Sequence, residues 1–165
     1  MTRLYPAHPL VGVGAVILVT GGDCGVPELR VEEGVTGVVL VRRRSEPLAG
    51  KWSLPGGALE VGETLAAGLQ REVREETGLV VDVGDVLEVF DRITRDPDRR
   101  VRYHFVLIDY LCRPVGGRLR AGSDAGAVVV TDAAALGPYG LSPDVRRVVH
   151  RGLRTLGEAP GGVRR

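Results

Sequence analysis

At 165 residues, 44% of them apolar and 26% charged, the chain is long enough for one globular domain with a substantial core and too apolar to be disordered. A net charge of +1 excludes the strongly basic balance of a dedicated nucleic-acid surface. Residues 10–19, "LVGVGAVILV", open the chain's regular structure as a Val/Ile-rich strand. With Arg3 before it this run loosely mimics a signal peptide, but it is too short to span a membrane. A buried first strand and a cytoplasmic protein with no membrane partner are expected. Residues 20–35 carry Gly, Pro and acids and read as a long hairpin loop, with a short extra strand around Leu29–Val31. Residues 36–43, "TGVVLVRR", return as the second strand, and 44–57, "RSEPLAGKWSLPGG", form a Pro- and Gly-punctuated loop.

From Thr64 to Thr77 the pattern turns helical, with Leu65, Leu69 and Val73 on one face. Thr64 suits the N-cap and Gly78 a left-handed position after the last turn. Gly68 inside the helix costs about 1 kcal/mol against Ala, so packing must support it. Residues 79–93 contain one or two strands, 94–100 a turn, 101–113 the longest strand, 114–126 a loop, and 127–131 a final strand. A second helix over 142–153 starts with Ser142 as cap and Pro143 at its first position. Strands outnumber helices and the helices fall between strand groups, which predicts an α+β plan, an α/β/α sandwich with a mixed β-sheet. One domain over 1–156 and a flexible tail over 157–165 are expected. Cys24 and Cys112 lack metal-ligand spacing and read as unpaired thiols of a reducing compartment.

The segment "REVREETGLVV" (71–81) puts Glu72, Glu75 and Glu76 three and four residues apart, so their carboxylates share one helix face. Like charges this close destabilise a helix unless something compensates, and a divalent cation does so with oxygen ligands. The wider string is a glycine (Gly57), five residues, Glu63, seven residues, and then Arg71-Glu72-Val73-Arg74-Glu75-Glu76-Thr77-Gly78-Leu79. It resembles the Nudix hydrolase signature at every fixed position, and "LPG" (54–56) before it fits as well. The resemblance implies a Nudix-type sandwich and hydrolysis of a nucleoside diphosphate linked to another moiety, by water attack at phosphorus. It implies that Glu72, Glu75 and Glu76 bind Mg²⁺ (or Mn²⁺), joined by the carbonyl of Gly56, and that Arg71 steadies a motif carboxylate. The glycines at 56 and 57 let the loop approach closely.

Beyond the signature, "VGVGAVIL" (11–18), "LVRRRSEPLAGKWSLPGG" (40–57), "RVRYHFVLIDYLCR" (100–113) and "LSPDVRRVV" (141–149) are similar in order to the ADP-ribose pyrophosphatase subgroup. That implies a small-molecule nucleotide partner and the conversion of ADP-ribose to AMP and ribose 5-phosphate. Arg43, at a strand end, is either a phosphate fork or an exposed arginine. Trp52 either stacks on a base or ribose or packs on the domain. Tyr103 and His104 point to opposite strand faces, and Tyr103 is the candidate on the substrate side.

One departure stands out. The subgroup's later acid falls at Gly126 or Ala127 here, within "GSDAGAVVVTD" (122–132), which leaves Asp124 as its substitute among the catalytic candidates. The 20–35 insertion is placed to cover either the site or a homodimer surface. Two other functions compete: a nucleoside triphosphate pyrophosphohydrolase that cleans the nucleotide pool, and a non-catalytic nucleotide-sugar sensor. The intact signature disfavours the sensor.

Overall fold

The computed structural model describes residues 3–21, 25–123 and 125–158. Strand β1 (Leu10–Thr20) is its axis. Its side chains alternate between two cores, because successive residues of a strand point to opposite faces. Val13, Ala15, Ile17 and Val19 face one cluster, which helix α1 (Leu65–Thr77) closes with Leu69 and Val73. Val16 and Leu18 face the other, which helix α2 (Pro143–Glu158) closes with Val145, Val148 and Val149. A strand buried on both faces carries a nearly continuous apolar run, which is why residues 10–19 mimic a leader segment. No helix among the described residues is long and apolar enough to cross a membrane.

The remaining strands are β2 (Thr36–Arg43), β3 (Trp52–Ser53), β4 (Gly56–Ala58), β5 (Leu79–Arg95), β6 (Val101–Gly117) and β7 (Ala125–Asp132). β1 and β6 pair in parallel over Leu10–Ile17, and all other pairs are antiparallel. The sheet is therefore mixed and lies between two helices, the expected α/β/α sandwich. One edge of β1 is shared: β4 takes it at Gly12–Gly14 and β2 takes it at Leu18–Thr20. The sheet opens between those partners.

Several boundaries differ from the sequence pattern. Residues 79–95 form one strand with bulges, so Gly84 and Asp85 interrupt the ladder without ending it. β6 continues through Pro114 to Gly117. β3 lies inside the expected 44–57 loop and β4 runs one residue past its end; strands of two and three residues leave no periodicity to read. Leu29–Val31 is not a strand. Val26 and Leu29 instead bury themselves in the α1-side core, 2% and 1% exposed. The insertion is thus anchored on the core, and none of its described residues lines the cavity described below. Helix α2 runs to Glu158, two residues into the expected tail; residues 159–165 lie outside the described residues, as does Cys24. Cys112 is a buried free thiol, and burial pushes its pKa up to about 12.

Candidate active site

Helix α1 begins and ends where its cap residues dictate. Thr64 Oγ1 accepts from the Ala67 N–H at 3.1 Å, and Gly78, at φ +72°, donates its N–H to the Arg74 carbonyl at 2.9 Å. Gly68 is explained by packing. A Cβ there would lie 2.6 Å from Leu59 Cδ1 and 2.9 Å from Glu63 Oε2, so its bareness lets Glu63 lie against the helix. Glu63 then grips Arg71 with both oxygens: Nε donates to Oε1 at 2.7 Å and Nη2 to Oε2 at 2.9 Å. The Arg71 guanidinium holds the Glu63 carboxyl down at about 2, with help from the Glu60 N–H. Arg71 also reaches Glu72 at 2.8 Å, Glu75 at 3.4 Å and the Ala58 carbonyl at 3.2 Å. It ties the loop before the helix to the helix's acidic face.

The three glutamates differ in surroundings. Glu76 is 4% exposed. Its Oε2 accepts from the Gly56 N–H at 2.9 Å and its Oε1 is paired with Arg43. Burial pushes its pKa up to about 7, against the opposing pull of Arg43 and the Gly56 N–H. Glu72 is mostly buried and held by Arg71. Glu75 is half exposed, with the single long contact to Arg71. Arg43 is further fixed by donating to Ser53 Oγ and to the Leu54 carbonyl, both at 2.8 Å. The two loop glycines fit this arrangement closely. A Cβ on Gly57 would fall 2.4 Å from Glu72 Cδ, and one on Gly56, at φ +146°, would fall 2.1 Å from the Val13 carbonyl oxygen.

Arg43, Gly56, Arg71 and the three glutamates line one cavity of about 460 Å³, a size that suits a small ligand. Among the described residues no three acids stand in metal-holding geometry, since Arg43 engages Glu76 and Arg71 engages Glu72. The donor set still fits a hard divalent cation: three carboxylates on one helix face and a backbone carbonyl, beside glycines whose missing side chains leave room.

Other sequence candidates lie elsewhere. Trp52 does not line the cavity. β3 pairs it with Arg42, and its ring meets Tyr139 edge-on at 5.3 Å, over the α2-side core. Tyr103 is 4% exposed and stacks on Phe105 at 6.4 Å; on that shared face of β6 Phe105 lines the cavity and Tyr103 lies just beyond it. Asp124 lies outside the described residues. Positions 126 and 127 belong to β7, where Ala127 pairs with Arg42, and the segment ahead of them closes the end of α1 through Gly122 N–H to Glu76 carbonyl at 3.0 Å.

Sequence reading passed over Asp109. It sits in β6, lines the cavity and is 6% exposed. Burial pushes its carboxyl up to about 6; Arg92 and Arg147 oppose that shift, and Glu88 and Asp144 add to it. Its signal was the one acid inside the apolar run "HFVLIDYLC". These charged groups come from β5 and α2; its third neighbour, β1, presents the bare Gly14. An acid whose pKa is raised in the folded state favours folding below its unfolded value of 3.8, and loses that advantage as pH rises through about 6. We therefore expect Asp109→Asn to stabilise the fold at about pH 8 by on the order of 2 kcal/mol, seen as a raised melting temperature, with the gain vanishing at about pH 4. Thermal melts of both proteins across that range measure it. A pH-independent difference contradicts the assignment.

A family model described as NUDIX domain matches residues 13–151. An ADP-ribose pyrophosphatase of Methanocaldococcus jannaschii is 36% identical over 123 residues, covering 74% of this chain and 61% of the relative. This chain thus spans less than two thirds of that relative's length. A putative 8-oxo-dGTP diphosphatase 2 of Mycobacterium tuberculosis is 36% identical over 135 residues, 82% of this chain and 92% of the relative. Among solved structures, the NUDIX domain of Shewanella oneidensis NrtR complexed with ADP ribose matches with a TM-score of 0.67 at 20% identity, covering 90% of this chain and 89% of that one, a likeness of fold.

Proposed function

Because this chain belongs to the NUDIX domain family, we propose that it hydrolyses a nucleoside diphosphate linked to another moiety, with ADP-ribose as first candidate and AMP and ribose 5-phosphate as products. The observation that carries this reading is the gathering of Glu72, Glu75, Glu76, Arg71, Arg43 and the Gly56–Gly57 loop around one cavity. The pyrophosphatase from M. jannaschii supports the choice of substrate.

Glu72, Glu75, Glu76 and the Gly56 carbonyl would hold a divalent cation, with Mg²⁺ proposed before Mn²⁺. When bound, it supplies positive charge for the diphosphate and eases ionisation of water. Arg71, locked by Glu63, holds Glu72 toward the cavity. Arg43 is the side chain that can pass from Glu76 to a phosphate oxygen, since the same planar fork fits both. In the reaction a water oxygen bonds to phosphorus and the bridging P–O bond breaks. The water's proton passes to a carboxylate, and Glu75 is the least engaged of the three. Asp124 remains a candidate for assisting this step.

A second reading is hydrolysis of a nucleoside triphosphate to a monophosphate and pyrophosphate. The M. tuberculosis relative supports it, because the match spans nearly that whole protein. A product-resolved assay separates the two. Purified protein with Mg²⁺ is given ADP-ribose, other nucleotide sugars, dinucleotides, CTP and oxidised dGTP. AMP from ADP-ribose, lost with EDTA, is expected. Pyrophosphate from a triphosphate overturns the substrate, and turnover that survives EDTA overturns the metal.

A further inference from the structure

The cavity has a second end that the chemistry on α1 does not use. Three rows of paired residues cross the sheet there. Glu88 of β5 faces Asp109 of β6, which faces Gly14 of β1; the next row is Phe90, Leu107 and Gly12; Arg92 faces Phe105 beyond it. The glycines clear the floor. A Cβ on Gly14 would lie 2.2 Å from Asp109 Oδ1, and one on Gly12 would lie 2.7 Å from Leu107 Cδ2. Phe90, Phe105, Leu107 and Val145 supply apolar walls. Asp109, nine-tenths buried, accepts no hydrogen bond and makes no ion pair within 4 Å among the described residues. Its neighbours are otherwise engaged: Glu88 accepts from Arg147 at 2.9 Å, and Asp144 binds Arg147 at 2.8 Å and Arg92 at 3.7 Å.

No fully enclosed side-chain oxygen among the described residues lacks a partner, so the Asp109 oxygens open on the cavity, where a ligand N–H can reach them. The surrounding shape selects the ligand. Apolar, partly aromatic walls suit a flat ring better than a second phosphate. We propose that this end of the cavity receives the substrate's nucleobase and that Asp109 is a specificity-determining residue, accepting a hydrogen bond from the exocyclic amino group of an adenine-type base. The inference rests on the nucleotide reading above and deepens it. It predicts discrimination against a base that carries a carbonyl where adenine carries its amino group, since that oxygen would face the carboxylate unpaired.

Two substrates differing at that edge of the base provide the test: ADP-ribose and its hypoxanthine counterpart, which in the same pose turns O6 toward Asp109 and carries an N1–H where adenine has a bare nitrogen. We expect kcat/KM to favour the adenine form by about tenfold or more. Asp109→Asn should bring the two within about threefold, because a carboxamide both accepts from an amino group and donates to a carbonyl. Circular dichroism checks that the variant folds. An equal ratio in parent and variant, or no preference in the parent, overturns the inference; a ribose-reading Asp109 would give that result. Calorimetric binding of AMP and IMP to the parent and variant, with EDTA present, reads the base end without turnover. Preference for AMP that Asp109→Asn erases upholds the inference even if no diphosphate is hydrolysed, in which case only the proposed activity falls. Turnover of ADP-ribose with no base preference removes the inference alone.

Discussion

Glu76→Gln is expected to lower kcat by at least about 10²-fold while leaving the fold intact. The side chain is nearly inaccessible, yet its two oxygens are the link between the loop, the helix and Arg43. Glutamine keeps the shape and one acceptor, so the Gly56 N–H at 2.9 Å retains its partner. What disappears is the negative charge, which makes the group a hard ligand and a counter-ion for Arg43. Removing one member of a fully buried ion pair costs several kcal/mol because the other charge is stranded. Here Arg43 is 22% exposed and faces the cavity, so water reaches it, and burial already pushes the Glu76 carboxyl up to about 7, so little change in stability is expected at neutral pH. Steady-state turnover, a thermal melt and far-UV circular dichroism together decide the point. Full activity, or loss of secondary structure, would remove Glu76 from the reaction.

The two adjacent loop glycines should respond to alanine in opposite ways. At Gly57 the added methyl group would meet the carboxylate end of Glu72, 2.4 Å from Cδ and 2.5 Å from either oxygen. A flexible side chain can move aside, so the melting temperature should barely change. The carboxylate cannot move and also keep its 2.8 Å bond to Arg71 and its place in the cavity, so turnover should fall by about 10- to 100-fold. At Gly56 the methyl would meet backbone: the Val13 carbonyl oxygen at 2.1 Å and Gly14 Cα at 2.8 Å, with φ at +146°. No rotamer relieves that, and the β1–β4 pairing must separate. Gly56→Ala should therefore lose about 3 kcal/mol or more of stability. Melting temperature and kcat measured on both variants test the contrast. A stable Gly56→Ala, or a fully active Gly57→Ala, contradicts the geometry.

The helix with its caps, the shared face of Glu72, Glu75 and Glu76, and the burial of β1 were legible in the chain. Each depends on residues within a few positions of one another, where backbone geometry sets the spacing. Gly68 was legible only as a cost; its reason, the Glu63 side chain lying over it to reach Arg71, needed the loop in place. Trp52 and Tyr103 had the chemistry of substrate contacts, but which side of a two-residue strand, or which stretch of a long one, meets the cavity depends on pairing. Pairing turned Trp52 toward Tyr139 and left Tyr103 beside Phe105, one step along β6 from the cavity lining.

By itself the sequence determined the family signature, the acidic helix face and its guanidinium partner, because one helix carries them and its periodicity is local. Only the tertiary structure decided the far end of the cavity. Gly14 and Asp109 are distant in the chain, and nothing in either segment marks them as neighbours. The parallel register of β1 on β6 sets the glycine beside the carboxylate, and the packing of α2 encloses it. Those are choices of long-range pairing, set by which buried faces fit together.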